Sequence, residues 1–541
     1  MAITDNFISK LFNKKEVVEQ VMDKIPVEGK TNIRPEAFQG RILFTHSYDG
    51  EKNLGEIGPV KSYALDYQRL RMRSWQSYLE SEITQTVINR FKTWVIGTGL
   101  KLQTMPNLTV LKYENLIIDQ QFNENIEARF DLYAKSKNAD YAGMRSLNTV
   151  AKRAFVNSIL GGDVLVVLRL IEGNVKVQLI DGCHVSSPRG GTEYFPEMLG
   201  NGNCIKNGIE IAPNGEHIAY YVRDINYAFE RIPAKGENSK MLVAYLVIGS
   251  EYRLDNVRGM PLISTVLETM AKLERYKEAT VGSAEEREKI AYAIEHKLGS
   301  TGENPYLKQM AVASGYSNND ALPIDSNGSQ LSNTVAATTN KQIVNLPVEA
   351  TIKSLESKSE LHFGEFYTVN INLICAAIGI PPEVALSKYD SNFSASRAAL
   401  KDWEHTLNVK RNDFADQFLQ PIYNFWMEVN ILNNKIQAPG YITARLKGND
   451  IVCEAYRACR WVGAPVPHID PLKEVAAARL KLGDTGASIP LTTVEAATES
   501  LNGGEAYENI NQYAKELAST KKLGIVIEMP VSEPIKKLLK D

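Results

Sequence analysis

Residues 387–432 read SKYDSNFSASRAALKDWEHTLNVKRNDFADQFLQPIYNFWMEVNIL. A small polar segment, 387–392, precedes a long stretch in which apolar residues recur at three- and four-residue steps and their multiples. The recurring apolar positions are Leu400, Trp403, Leu407, Phe414, Phe418, Ile422 and Val429. This spacing predicts one helix with a single apolar face, about 58 Å long if unbroken at 1.5 Å per residue.

Local signals define the two ends of this prediction. Ser394 or Ser396 can cap the helix, because a serine hydroxyl accepts hydrogen bonds from the exposed N–H groups of a first turn. Pro421 removes a hydrogen bond inside the helix, so a kink is expected there. A polar loop carried on a long, one-sided helix is typical of a subunit that packs beside copies of itself. The helix residues predicted to pack between subunits are Trp403, Leu407, Phe414 and Phe418.

Composition limits the function. The chain has 541 residues and a net charge of −3, from 61 Lys+Arg against 64 Asp+Glu. A protein that grips DNA through many phosphate contacts usually carries a basic excess, so any nucleic acid is expected to be held loosely. No apolar run approaches a membrane span and no signal peptide is recognised. The five cysteines are scattered, which indicates a reducing environment rather than a disulfide framework.

The order of predicted elements indicates an α+β fold. Residues 60–258 begin with helical patterns and continue with short strands in local hairpins, of which 163–170 and 175–180 are the clearest. A helical pattern over 261–296 follows, in which Gly282 could end one helix and Ser283 with Glu286 could cap a second. A segment rich in Gly, Ser, Asn and Thr then separates it from another helix at 361–378.

Motifs for catalysis or metal binding are not recognised in the sequence. Cys453 and Cys459 are predicted to lie in one helical region, where a spacing of six places them poorly as a metal pair. His405 is interpreted as a partly solvated helix side chain, and Asp163 and Asp181 as carboxylates that cap strand ends. The chain is therefore predicted not to be an enzyme and to have no cofactor and no metal site.

Seven short segments, in this order, carry a resemblance to the lambda-type family of phage portal proteins. The segments are LRMRS at 70–74 with VIGTG at 95–99; GGDV at 161–164; GIE at 208–210 with NG at 214–215 and AY at 219–220; VRGMP at 257–261 with the helix that follows; GIPP at 379–382; NFSASR at 392–397; and DPLKE at 470–474. Each is weak alone, but their order over about 400 residues is specific. Ala395 departs from the family pattern, which often has serine there, and so do His468 and the stretch 80–85.

The resemblance implies a portal-type subunit with named regions. These are an N-terminal arm (1–59), a mixed α/β wing (60–258), a first stem helix (259–296), a small clip insertion (297–350), a second stem helix (351–386), a channel loop on a long kinked helix (387–432) and a helical C-terminal wing or crown region (433–541). The loop residues expected to face DNA are Lys388, Tyr389, Asp390, Ser391, Asn392, Phe393 and Ser394.

The resemblance also implies partners and location. The subunit is expected to form a homo-oligomeric ring, usually a dodecamer, at one capsid vertex, through which the genome is packaged and ejected. Expected partners are the terminase large subunit, the head–tail connector or adaptor protein and the major capsid protein, with double-stranded DNA passing non-specifically and no membrane. The expected location is the virion, and the host cytoplasm during assembly.

Two other classes remain open at this point. Another oligomeric capsid or connector component would share this environment but lack the order of helix, clip, helix and loop. A cytosolic enzyme of unrecognised class is disfavoured, because the sequence offers no catalytic constellation.

Overall fold

The computed structural model describes residues 67–522 apart from 117–120, 193–195, 225, 238, 252–255, 295–335, 339–340, 346–362, 389–392, 467–470, 484–489, 503 and 505. The chain divides into two compact units. One is formed by Met1–Ser264 together with Ile378–Asp541, and the other by Thr265–Ala377.

The first unit begins with helices. They are α1 (Tyr67–Glu80), α2 (Glu82–Val95), α3 (Leu108–Tyr113), α4 (Phe122–Lys135) and α5 (Leu147–Gly161), with strand β1 (Lys101–Thr104) after α2. Gly97 has a φ of +53°, which allows the chain to leave α2 in the left-handed region. The sequence pattern predicts a helical stretch over Tyr113–Lys135, but α4 begins only at Phe122.

Antiparallel strands follow the helices. They are β2 (Asp163–Ile171), β3 (Asn174–Asp181), β4 (Glu197–Met198), β5 (Cys204–Lys206), β6 (Ile209–Ile211), β7 (His217–Arg223), β8 (Phe229–Pro233) and β9 (Ala244–Ile248). One sheet has the order β3-β2-β9, and the other runs from β4 to β8 in sequence order. Glu172 and Gly173 both have positive φ, so they form the tight turn of the predicted β2–β3 hairpin.

Apolar side chains from both sheets share one core. Leu165 and Ile180 of the three-stranded sheet belong to the same buried cluster as Ile209 and Val222 of the five-stranded sheet. Helices and antiparallel sheets are thus combined in one unit, which confirms the predicted mixed α+β fold.

The second unit contains α6 (Leu267–Lys289), β10 (Ile290–Ile294), β11 (Ala336–Thr338), β12 (Lys341–Asn345) and α7 (Phe363–Ile378). The possible break at Gly282 does not occur, because α6 continues through it; one glycine costs a helix only about 1 kcal/mol. The helix also stops before His296, since the chain turns into β10 and pairs in parallel with β12. The Tyr276 and Phe366 rings, one on each helix, lie 4.7 Å apart.

The long helix of the first unit has three parts. After the short helix α8 (Pro382–Leu386), α9 spans Phe393–Phe414, a π-helical turn spans Ala415–Leu419, and α10 spans Gln420–Leu432. In the π turn the Gln420 N–H donates to the carbonyl of Ala415, five residues earlier. The turn places Pro421 at the start of α10, where its missing N–H is tolerated.

The remaining chain returns to the N-terminal part of the unit. It forms α11 (Tyr441–Lys447), α12 (Asp450–Arg457), β13 (Cys459–Val462), α13 (Pro471–Leu482), α14 (Val494–Asn502) and α15 (Ala506–Lys522). Strand β13 pairs antiparallel with β1, so that Lys101 lies opposite Val462. Cys453 therefore lies on a helix and Cys459 on a strand, rather than in one helical region.

Two kinds of feature are absent from the described ranges. Between residues 67 and 522, outside the gaps given above, no group of three or more His, Cys, Asp or Glu side chains is placed to hold a metal ion. None of the helices described is long and apolar enough to cross a membrane.

Candidate functional site

The described residues on either side of the predicted channel loop have defined backbones. Ser387 follows α8 in the left-handed region with a φ of +55°, and its N–H and that of Lys388 both donate to the carbonyl of Glu383. Lys388 is exposed. Residues 389–392 lie outside the described residues. Phe393 and Ser394, which were predicted to be loop residues, belong to the first turn of α9.

Helix α2 holds the N-terminal side of this segment. Helix α8 packs against α2 through a short apolar face, on which Val384 and Ala385 are buried. Next to that contact, the Arg90 guanidinium of α2 donates a hydrogen bond to the Ser387 hydroxyl. The residue that begins the predicted loop is therefore tied to α2.

Phe91, the next residue of α2, contacts the helix that follows the predicted loop. Phe91 packs edge-on against Trp403 of α9, with ring centroids 5.5 Å apart, and both rings are fully buried. The Lys410 ammonium lies 5.7 Å from the centre of the Phe91 ring, and burial lowers the pKa of this lysine. Adjacent residues of one helix, Arg90 and Phe91, thus contact the two elements between which the predicted loop runs.

Arg411 strengthens the contact between α9 and α2. Its guanidinium donates to the carbonyls of Trp94, Val95 and Ala464, with N···O distances of 2.8, 3.2 and 2.6 Å. Carbonyls at the C-terminal end of a helix attract a positive charge, so Arg411 caps α2. Burial lowers its pKa to about 10, which still leaves it charged at neutral pH. Helices α2, α8 and α9, which together form the mount of the predicted loop, are accordingly held together by packing, hydrogen bonds and charge.

Four residues of the long helix, predicted to pack between subunits, are already covered within one subunit. Trp403, Leu407, Phe414 and Phe418 are at most 4% exposed inside the single subunit. Phe414 packs edge-on against Phe155 of α5 and stacks on Phe418. The apolar stripe was read correctly, but elements of the same chain cover it. These four side chains are therefore part of the core of the single subunit.

The π turn is also bonded to the sheet. The buried Tyr245 hydroxyl of β9 donates to the carbonyl of Phe418, at 3.0 Å, and the N–H of Ile248 donates to the Gln417 side chain, at 2.8 Å. A π turn widens the helix and exposes backbone groups, and here a side chain of the sheet bonds one of them. The long helix is thereby fastened to β9 as well as to α2.

Asp163, Arg258 and Arg71 form a buried ion-pair cluster, called the Asp163 cluster. The sequence patterns did not predict it. Arg258 binds the carboxylate at two points, with distances of 2.7 and 2.8 Å, and Arg71 binds it at 2.5 Å. Arg258 also donates to the carbonyls of Val185, Asn207 and Gly182. Burial by itself would raise the pKa of Asp163, but the two guanidinium groups more than offset this and lower it to about 2.

Glycines allow the segments of this cluster to approach one another. A Cβ on Gly259 would lie 2.0 Å from the carbonyl oxygen of Gly162, and a Cβ on Gly182 would lie 1.9 Å from the Asp163 carboxylate. The signal was present in the sequence, since Arg71, Asp163 and Arg258 each lie in one of the seven segments that carry the resemblance. Within its own segment, Asp163 has the position of a carboxylate that caps a strand end. The fold brings its side chain together with those of Arg71 and Arg258.

Comparisons with solved structures give weak likenesses. The neck of a native GTA particle computed with C12 symmetry has 11% identity and a TM-score of 0.30, over 71% of this chain and 91% of that one. The virion of a native gene transfer agent particle has 10% identity and a TM-score of 0.36, over 80% and 92%. The neck of an empty GTA particle computed with C6 symmetry has 11% identity and a TM-score of 0.35, over 80% and 93%.

Comparison with protein families is more informative. No curated protein matches the sequence at a significant level. The family model described as "Phage portal protein, lambda family" matches residues 53–410, which is well over half of the chain. That range includes the Asp163 cluster, helix α2, helix α8 and α9 as far as Lys410. The chain belongs to the lambda family of phage portal proteins.

Proposed function

We propose that copies of this chain form the ring-shaped DNA channel at one capsid vertex, through which a phage genome is packaged and ejected. The family match over residues 53–410 carries this proposal. Such a channel is a structural component of the virion, built in the host cytoplasm, and it needs no catalytic group of its own.

The division of the chain supports an arrangement of wing, stem and clip. The compact unit Thr265–Ala377 falls within the range 259–386 assigned to the two stem helices and the clip. Its two ends are helices, α6 and α7, and the long segment between them contains the strands β11 and β12. We assign 60–258 to the wing, 387–432 to the channel loop and its helix, and 433–541 to the C-terminal wing or crown.

Helix α7 offers a surface for contacts between subunits. Its residues Phe366, Val369 and Leu373 are 43, 56 and 61% exposed, although Ile371 and Ile374 on the opposite face are buried. A helix that is apolar on both faces is normally covered on both sides. A neighbouring subunit of the ring would cover the bare face, in the role first assigned to the long helix.

The rigid mount supports a DNA-facing role for residues 388–394. A loop that touches a moving duplex keeps its position better when the elements that carry it are held in place, and α2 contacts both Ser387 and Trp403 of α9. Lys388 and Asp390 have opposite charges two residues apart, so a ring of loops adds little net charge to the bore. Weak phosphate contacts of this kind allow double-stranded DNA to pass without regard to sequence.

The partners of the channel follow from this function. The clip, 297–350, would bind the terminase large subunit during packaging and the head–tail connector or adaptor afterwards, and the wing would face the major capsid protein. Replacing residues 297–345 by a short Gly/Ser linker would then leave the wing folded and abolish terminase docking. Docking that survives this replacement would place the terminase contact elsewhere.

Direct imaging tests the proposed assembly. Negative-stain images of the purified full-length protein should show end-on rings with a central hole. Monomers at micromolar concentration, or open filaments without closed rings, would contradict the proposal. A Val369→Asp protein imaged in parallel tests whether α7 lies at the contact, since a buried unpaired charge opposes association.

A further inference from the structure

Strands β1 and β13 form a two-stranded sheet with two unlike faces. Residues that lie opposite each other in an antiparallel pair share a face, so Leu102 and Trp461 lie on one side of the sheet. Both of these side chains are buried in the core of the unit. The next pair along the strands, Gln103 and Arg460, lies on the other side, because successive side chains alternate. The outer face of this sheet is therefore polar.

Carboxylates of α14 contact this outer face. The Gln103 side-chain amide donates to the Glu495 carboxylate, at 2.8 Å, and Arg460 forms an ion pair with Glu499. Glu495 and Glu499 are four residues apart on α14, so they lie on the same side of the helix. Helix α14 is accordingly docked on the sheet through an acidic side.

Helix α15 joins the same contact. The second oxygen of Glu495 accepts a hydrogen bond from the N–H of Ala506, at 3.2 Å, which places a negative charge at the N-terminus of α15. Glu508 lies 3.7 Å from the ammonium of Lys101, another residue of β1. A second carboxylate opposes this attraction: burial raises the pKa of Glu127 on α4, and the nearby Glu508 adds to the rise. Charges thus both attract α15 to the rest of the subunit and repel it.

Apolar packing contributes little to this contact. Among the described residues of α14 and α15, the buried apolar side chains are those of two alanines, Ala497 and Ala506. Larger apolar side chains such as Val494 and Ile510 are 56 and 60% exposed. Short helices are marginal in water without tertiary contacts, and α14 and α15 have 9 and 17 residues. The order of both helices therefore depends in large part on the carboxylate contacts.

We propose that α14 and α15 form an ionic latch, which docks on the outer face of the β1–β13 sheet and is released when its carboxylate contacts are weakened. Exposed ion pairs contribute little each and are screened by salt, so a contact composed of them opens more readily than one formed by apolar packing. Glu495 is the central residue of the latch, because its two oxygens join β1 to the first turn of α15. Release uncovers the polar face of the sheet and leaves the apolar face in the core.

Hydrogen exchange of the full-length protein tests the latch at about 0.1 M and about 1 M NaCl, between which the screening length falls from about 10 to about 3 Å. The amides of α14 and α15 should exchange about tenfold faster at the higher salt, whereas those of the core helix α5 should not change. Glu495→Gln should give a similar acceleration at the lower salt. Glu516→Gln is the matched control and should keep the wild-type rate, because Glu516 is exposed on α15 and bonds to Gln512 of the same helix.

A charge swap separates an ionic contact from a general role in folding. Arg460→Glu places a second carboxylate beside Glu499, so exchange of the α14 amides should become faster at the lower salt. Combining Arg460→Glu with Glu499→Arg restores opposite charges and should return the exchange close to the wild-type rate. Exchange of the α5 amides reports whether each variant is folded.

Two results would overturn the proposal. One is exchange of α14 and α15 that neither the higher salt nor Glu495→Gln accelerates. The other is equally fast exchange in Arg460→Glu and in the variant with both substitutions, since restored opposite charges would then not restore the contact. Because the readout is confined to α14 and α15, it is independent of whether the protein forms a DNA channel.

Discussion

Arg258 and Asp163, 95 residues apart in the sequence, form a two-point ion pair with N···O distances of 2.7 and 2.8 Å, and both side chains are buried. This pair joins the start of β2 to the segment that leads towards α6. Such geometry satisfies both oxygens of the carboxylate, and Arg71 supplies a third bond. Removal of one partner leaves a buried charge without its counter-charge, which is the costly case for an ion pair.

Asp163→Ala should therefore lower the free energy of unfolding by about 3–5 kcal/mol. Urea unfolding of the purified protein, followed by circular dichroism, measures the change. Lys135→Ala is the control, because the Lys135–Asp131 pair is exposed and contributes about 0.5 kcal/mol or less. Equal effects of the two substitutions would show that the Asp163 cluster does not hold the unit together.

Acid should weaken the same pair in a defined window. The pKa of Asp163 is about 2 in the folded protein and its ordinary value is 3.8, so the folded state favours the carboxylate. The stabilisation is fully present above pH 4 and is lost as the pH falls from about 4 towards 2; the loss is on the order of 2 kcal/mol. Asp163→Asn should remove this part of the pH dependence. Parallel wild-type and variant stability curves between pH 5 and 2.5 would contradict the assignment.

Trp403→Ala should destabilise the isolated subunit rather than only the contacts between subunits. The side chain is fully buried against Phe91, so its loss leaves a cavity that costs about 3–5 kcal/mol. Val409→Ala, at a half-exposed position of the same helix, controls for the change in α9. Thermal unfolding at concentrations too low for assembly makes the measurement. A Trp403→Ala subunit of normal stability that fails only in assembly would restore the original assignment of this residue.

Val369→Asp in α7 should have the opposite effect. The side chain is exposed in the subunit, so the charge remains solvated and the unfolding free energy should change by about 0.5 kcal/mol or less. Ring formation, measured by light scattering, should be lost because the charge becomes buried at the proposed contact. Leu132→Asp places the same charge at another exposed apolar position, on α4, and serves as the control. Normal rings from Val369→Asp would exclude this face of α7 from the contact.

Local patterns predicted much of the secondary structure, for reasons visible in particular residues. The strands around Glu172 and Gly173 were predicted within one residue, because the apolar runs and the turn are adjacent in the sequence. The sequence pattern also predicts a helical run over Pro471–Leu482, and the observed helix has these ends. By contrast, the pairing of Lys101 with Val462 joins residues far apart in the chain, and no local pattern specifies such a partner.

In the candidate site too, local features could be predicted from the sequence, whereas contacts between distant segments could not. The apolar stripe containing Trp403 and Phe414 could be read from its period, but periodicity does not say whether a neighbouring subunit or the same chain covers it. In the fold, Phe91 packs against Trp403 and Phe155 packs against Phe414, so residues of the same chain cover the stripe. Arg90 gave no sequence signal at all, since an arginine on a helix surface is ordinary until α8 brings Ser387 beside it.

The central claim, that residues 388–394 face DNA inside a portal ring, is tested most directly by packaging a labelled genome into empty proheads at two ionic strengths. Asp390→Lys replaces a negative charge by a positive one, a change of two charge units per subunit, without altering the contacts of α2 with α8 and α9, so rings should still assemble. Packaging should be slower than with the wild-type ring at low salt and should approach the wild-type rate at high salt, because screening weakens phosphate contacts. Packaging by the Asp390→Lys ring at the wild-type rate at low salt would contradict the claim.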